Sequence, residues 1–75
     1  SATDLITMAA TNYFHNPKEN ISQKDFIEEA FTFASTEYVT ALFLGDDCPN
    51  KEEIADKLAY YSGIDKAYWR LSRQL

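Results

Sequence analysis

The side chains with most chemical potential lie close together in "LGDDCPNKEE", where Asp46, Asp47, Cys48, Glu52 and Glu53 fall within one short stretch. Carboxylates and a thiolate are metal ligands, so a metal loop is the first chemistry to test. A calcium loop alternates its oxygen ligands around a central glycine and ends in a glutamate, whereas here two adjacent aspartates run into Cys48-Pro49-Asn50. A zinc site lacks its second cysteine or histidine. The acids are better read as capping and solvating groups, because Glu52 and Glu53 fall in the first turn of a helix, where each is stabilised by about 0.3–1 kcal/mol.

Other chemistries fail on similar grounds. A nucleophile elbow needs Gly-x-Ser-x-Gly, and the only glycines are Gly45 and Gly63. The single histidine, His15, is placed to sit at the negative end of a helix dipole, a structural role, and no partner for it can be argued from spacing. The small acidic helical profile invites comparison with acyl carrier proteins, which attach their arm at an Asp-Ser-Leu sequence. Here Ser22 follows Ile21 and Ser62 follows Tyr61, so that attachment point is absent. The doublet Tyr60-Tyr61 reads as one core ring and one rim residue. No catalytic, cofactor-binding or metal-binding residue is therefore assigned.

The elements that hold these residues are read from their punctuation. The two-residue alternation of strands is missing, so an all-α fold is expected, a small bundle of about four helices in one domain, residues 1–75. The first helix is expected over Asp4 to Phe14 with Thr3 as cap and Leu5, Ala9 and Tyr13 beside Ile6, Ala10 and Met8 as its apolar side. Pro17 within "HNPKEN" ends it. Ser22 opens the second helix by accepting from the backbone of Asp25, and Ile21 with Phe26 forms a hydrophobic staple. That helix is expected to reach Leu44, stopped by Gly45, with a stripe of Ile27, Ala30, Phe31, Ala34, Tyr38, Ala41 and Leu42. Phe26, Phe33, Val39 and Phe43 add bulk outside the stripe, which predicts burial on more than one side.

Asn50 with Glu53 is expected to cap the third helix, whose face is Ile54, Leu58 and Tyr61 and whose stop is Gly63. Asp65 then caps a last helix, with an Ile64–Trp69 staple and Tyr68, Leu71 and Leu75 turned inward. The pair of helices in "KEEIADKLAYYSGIDKAYWRLSRQL" could be compared with a DNA-reading helix-turn-helix using Lys66, Arg70 and Arg73. A net charge of −5 opposes binding to a phosphate backbone, so no nucleic-acid partner is expected. No apolar run approaches the roughly 18 residues that span a bilayer, so no membrane partner is expected either. One cysteine says nothing of redox compartment, and localisation stays open. Five Phe, five Tyr and one Trp are many rings for so small a core, and some are expected to cover a partner. The start at Ser1-Ala2-Thr3, without an initiator Met, is read as a cut within a longer chain.

Two stretches carry a family pattern. Ile6 to His15 is similar to Pro-Thr-x-Ala-Ala-Thr-Ala-Trp-Tyr-His, with Ile6 in place of the proline and Asn12 in place of the third alanine. Glu37-Tyr38-Val39-Thr40-Ala41-Leu42 running to Gly45, followed after an acidic spacer by Ile54 to Tyr68, is similar to Glu-Tyr-x-x-Ala-Leu and Ile-Ala-x-x-Leu-Ala-x-Tyr-Thr-Gly-Leu-Ser-x-x-Tyr. In these segments the chain resembles serine carboxypeptidases, bacterial members above all. The resemblance implies a helical cap excised from an α/β-hydrolase, with the Ser-Asp-His triad in the missing body and none of it in this chain. The implied reaction of the parent is release of C-terminal residues from peptides through a covalent serine intermediate. The implied partners are the catalytic body and its peptide substrate, with self-association of the isolated fragment. Phe33 and Phe43 are expected to face the body. The other reading of the residues is a free-standing acidic helical module that binds a protein through exposed aromatics.

Overall fold

Ser22 shows how locally the helices are set. It is extended, and its hydroxyl accepts from the Asp25 backbone N–H at 3.1 Å, so one donor that the first turn would leave unpaired is satisfied within three residues. Ile21 packs beside the fully buried Phe26 and completes the staple expected there. The computed structural model describes residues 2–68, and among these the regular structure is entirely helical. The elements are α1 (Ala2–His15), α2 (Gln23–Phe33), a π-helical turn (Ala34–Tyr38), α3 (Val39–Leu44), a 3-10 turn (Gly45–Asp47) and α4 (Lys51–Ser62). With one further turn opening after Gly63, this is the small all-α bundle that the punctuation predicts.

Most of the stops fall where expected. Gly63 takes the left-handed conformation, φ 76°, and its N–H closes α4 on the Ala59 carbonyl. Gly45, φ 59°, ends α3. Asp65 starts the last turn by accepting from Ala67 N–H at 2.7 Å. Tyr68 in that turn is 57% exposed rather than turned inward, and Trp69, Arg70, Leu71, Arg73 and Leu75 lie outside the described residues.

Three local expectations are corrected. The first helix begins at Ala2, so Thr3 is not its cap but lies within it, and its carbonyl accepts from the Thr7 hydroxyl at 3.2 Å. Asn50 makes no side-chain cap to α4: its Oδ1 accepts from the Cys48 thiol at 3.1 Å and its Nδ2 donates to Glu53 Oε2 at 3.3 Å, so the amide is spent on its neighbours. The long helix is not one regular helix. At Ser35 and Thr36 the side-chain hydroxyls donate to the carbonyls of Phe31 and Thr32, at 2.6 and 2.7 Å, and this competition for carbonyls accompanies the widened turn.

The core forms two adjoining groups. Ala9, Phe26 and Ala30 meet where α1 crosses α2, and Leu5, Phe33, Ala34, Ala41, Cys48, Ile54 and Leu58 fill the space toward α4. Tyr61 packs against both, which joins them. The faces expected for α1 and α4 are those buried. On the long helix the buried side is Phe26, Ala30, Phe33, Ala34 and Ala41, with Tyr38 packed against it, while Phe31 and Leu42 of the predicted stripe are 59% and 58% exposed. Both sides carry apolar residues at helical spacing, and α1 and α4 cover only one.

Candidate functional site

Two surfaces stand out, a groove and a bare helix face. The groove, of about 750 Å³, runs between α2 and the end of α4 and is lined by the carboxylates Asp25, Glu28, Glu29 and Glu37 together with Phe33, Tyr60 and Tyr61. Its aromatic wall is built around Phe26, whose ring lies 5.5 Å from those of both Tyr60 and Tyr61, and Phe33 lies 5.4 Å from Tyr61. Tyr61 is the half-buried ring and Tyr60 the rim ring, as the doublet suggests. Their different burial follows from adjacent positions on α4 pointing about 100° apart.

The charges of this groove are partly answered by the chain itself. The Lys57 ammonium donates to both Glu37 oxygens, at 2.7 and 2.9 Å, and the bond to Glu37 holds the lysine above its ordinary range against the opposing effect of desolvation. Lys18 stands 5.3 Å from the Tyr60 ring centre and 5.9 Å from that of Phe26, a cation over aromatic faces. The Tyr61 hydroxyl donates to Glu29 at 3.4 Å, and the phenol is pushed up to about 12, first by burial and then by the Glu29 charge. A phenol held neutral to that pH is no base near neutrality.

The residues singled out for chemistry are dispersed. Cys48 is 5% exposed and turned into the core, away from Asp46, which lies 3.8 Å from Lys51. Glu52 joins Asp56 around Lys66, at 2.8 and 2.9 Å, and those bonds raise the lysine's pKa. Among the described residues no three or more His, Cys, Asp or Glu side chains are grouped to hold a metal. His15 is exposed at the end of α1, where its ring meets Phe14 edge-on at 5.3 Å. Ser62 is buried, donating to the Leu58 carbonyl at 2.6 Å and accepting from Ile64 N–H at 3.1 Å, so it serves the turn at Gly63. Of the basic residues considered for DNA reading, Lys66 is committed to two carboxylates, and Arg70 and Arg73 lie outside the described residues. No helix among the described residues is long and apolar enough to cross a membrane.

The second surface is the outer side of α2 and α3. Phe31, Val39, Leu42 and Phe43 are 59%, 52%, 58% and 92% exposed, and Ile27 is half-buried beside them. Phe33, expected on an outer surface with Phe43, is instead 3% exposed and belongs to the core. The difference arises because Phe33 lies on the side of the helix that meets Leu58 and Tyr61. An apolar face of this kind has no reactive group; what it can do is dock.

Comparison with protein-family models, with curated proteins and with solved structures finds no match to this chain. The likeness to serine carboxypeptidases therefore rests on the segments Ile6–His15, Glu37–Gly45 and Ile54–Tyr68 alone.

Proposed function

We propose that the chain is a non-catalytic helical cap of a serine carboxypeptidase-like peptidase, packing on the catalytic body and walling its substrate pocket. The observation that carries this reading is the bare apolar face of α2–α3, with Phe43 at 92% exposure on a chain whose opposite face closes a complete small core. A cap needs such two-sidedness, because one face must hold its own helices together while the other meets the body. Its contribution to peptide hydrolysis is to exclude water and restrict what enters; the acylation chemistry belongs to the parent's triad. The 75 residues alone are expected to be inactive.

The second reading is a free-standing acidic module, favoured by the groove of Asp25, Glu28, Glu29 and Tyr60, whose chemistry suits a basic segment of another protein. The coding sequence on either side of these residues separates the two. A Gly-x-Ser-x-Gly elbow upstream with Asp and His downstream supports the cap, and purified full-length protein should then release C-terminal residues from peptides. A flanking frame without the elbow removes the hydrolase reading.

A further inference from the structure

The groove between α2 and the end of α4 holds the chain's own lysines in two unequal ways. At the Glu37 end, Lys57 stands 6.0 Å from the Phe33 ring centre and donates to both Glu37 oxygens, so its charge is answered. At the other end, Lys18 lies over the rings of Tyr60 and Phe26, and no carboxylate among the described residues pairs with it. The backbone that carries it is fixed, because the Tyr13 hydroxyl donates to the Ile21 carbonyl and lies 3.3 Å from that of Lys18. The side chain itself is half-buried and held by ring faces alone, a contact worth roughly two- to five-fold in an equilibrium constant where water has access. A cation of this chain thus marks where the aromatic wall accepts one, and holds the place weakly.

The same groove is lined by Asp25, Glu28 and Glu29, all exposed, and no ion pair among the described residues neutralises them. Glu28 and Glu29 follow Asp25 by three and four residues on α2, so like charges stand on one helix side and repel. The Tyr61 hydroxyl engages one Glu29 oxygen at 3.4 Å and brings no positive charge. We propose that this groove seats an arginine-bearing basic segment of another protein, and that Lys18 holds the cation position at Tyr60 until that segment displaces it. The inference rests on the second reading above and adds to it the residue that the partner must push aside. Arginine fits best because its planar guanidinium can stack on the Tyr60 ring while its fork of N–H donors reaches a carboxylate, whereas the Lys18 ammonium has only the rings. A groove about 750 Å³ in volume and open along the helix suits an extended segment, and its charge attracts a basic one.

The test is a nuclear magnetic resonance titration of the 75-residue chain at moderate salt. The probes are a short amidated peptide with paired arginines and no aromatic residue, and its glutamine counterpart. Shifts should gather on Thr32, Phe33, Tyr60 and Tyr61 with the arginine peptide and be absent with the other. Lys18→Gln should tighten binding roughly three-fold or more. Lys24→Gln, the same charge change on a residue outside the groove lining, should tighten it by less than about two-fold. Tyr60→Leu should weaken binding roughly three-fold or more at unchanged net charge, and Tyr60→Phe should keep it, since only the ring face is used. Equal gains from Lys18→Gln and Lys24→Gln overturn displacement of Lys18 and leave the groove of the second reading intact. Binding indifferent to Tyr60→Leu, or shifts scattered over the acidic surface, overturns the seat and reduces binding to net charge. Silence from both the wild type and Lys18→Gln overturns the inference and the basic-segment reading together, while the cap, which uses the outer side of α2 and α3, is untouched.

Discussion

The two sides of the long helix are made of the same kinds of residue and have opposite fates. On the inner side Phe26 and Phe33 are enclosed by α1 and α4, with ring neighbours Tyr13, Tyr38, Tyr60 and Tyr61 at 5.4–6.1 Å. On the outer side Phe31 and Phe43 stand in solvent. Aromatic content therefore does not mark the core of this protein. What marks it is which side the neighbouring helices reach, and the outer rings stay exposed.

The sharpest way to break this comparison is to truncate one ring on each side. Phe26→Ala should cost about 3–5 kcal/mol in urea unfolding, enough to unfold so small a domain, because its ring is fully buried with Ala9 and Ala30 where α1 crosses α2. Phe43→Ser should change the stability of the isolated subunit by no more than about 0.5 kcal/mol, measured at a concentration low enough to keep it monomeric. Equal losses would mean that the outer face also belongs to the fold.

Gly63→Ala tests how the inner side is closed. A Cβ there would lie 2.6 Å from Asn12 Oδ1, at a φ of 76° that side chains rarely adopt. Asn12 would have to give up its bonds to the carbonyls of Tyr60 and Tyr61, at 3.2 and 3.1 Å. Strain of about 1–2 kcal/mol is expected from the backbone alone, read as a lower unfolding midpoint. Ala at the exposed Ser35 should leave the midpoint nearly unchanged.

The pH dependence of stability should report Tyr61. Its folded pKa, about 12, lies above the ordinary value near 10, so the unfolded chain loses this proton first. Stability from this group is complete below about pH 10 and declines as pH rises through about 12. Urea midpoints at alkaline pH should fall more steeply for wild type than for Tyr61→Phe; parallel curves would assign the decline elsewhere. The smallest effect should come from Glu37→Gln, which breaks the ion pair to Lys57 across the groove edge. Both partners are about two-fifths exposed, so a loss of about 0.5 kcal/mol or less is expected, diminishing further with salt.

How far the fold could be read in advance differs by residue. The Ser22 cap, the Ile21–Phe26 staple and the stop at Gly63 depend on contacts within a few positions, and the residue types name them. The face of α4 was legible because only one side of that helix is apolar. The long helix offered two competing sides, and the expected stripe straddled them: Ala30, Ala34 and Ala41 are buried with Tyr38 packed against them, while Phe31 and Leu42 stand exposed. The π turn had a weak signal in Ser35-Thr36, two hydroxyl residues in mid-helix, but nothing in a regular 3.6-residue period announces an inserted residue. Asn50 was misjudged because the thiol of Cys48 took the oxygen that a cap would use. The groove was invisible for another reason: Tyr60 of α4 lies far along the chain from Asp25, Glu28 and Glu29 of α2, and only packing sets them around one space.

The sequence by itself determined an all-helical chain, the positions of most of its breaks and the acidic balance that disfavours a phosphate partner. Those properties rest on backbone preference, short-range hydrogen bonds and summed charge. The tertiary structure decided which side of the long helix is core and which is left bare, because burial is a relation between helices. It also placed the π turn at Ala34–Tyr38, which shifts the register of Val39 and Phe43 relative to Phe31 from that of a regular helix.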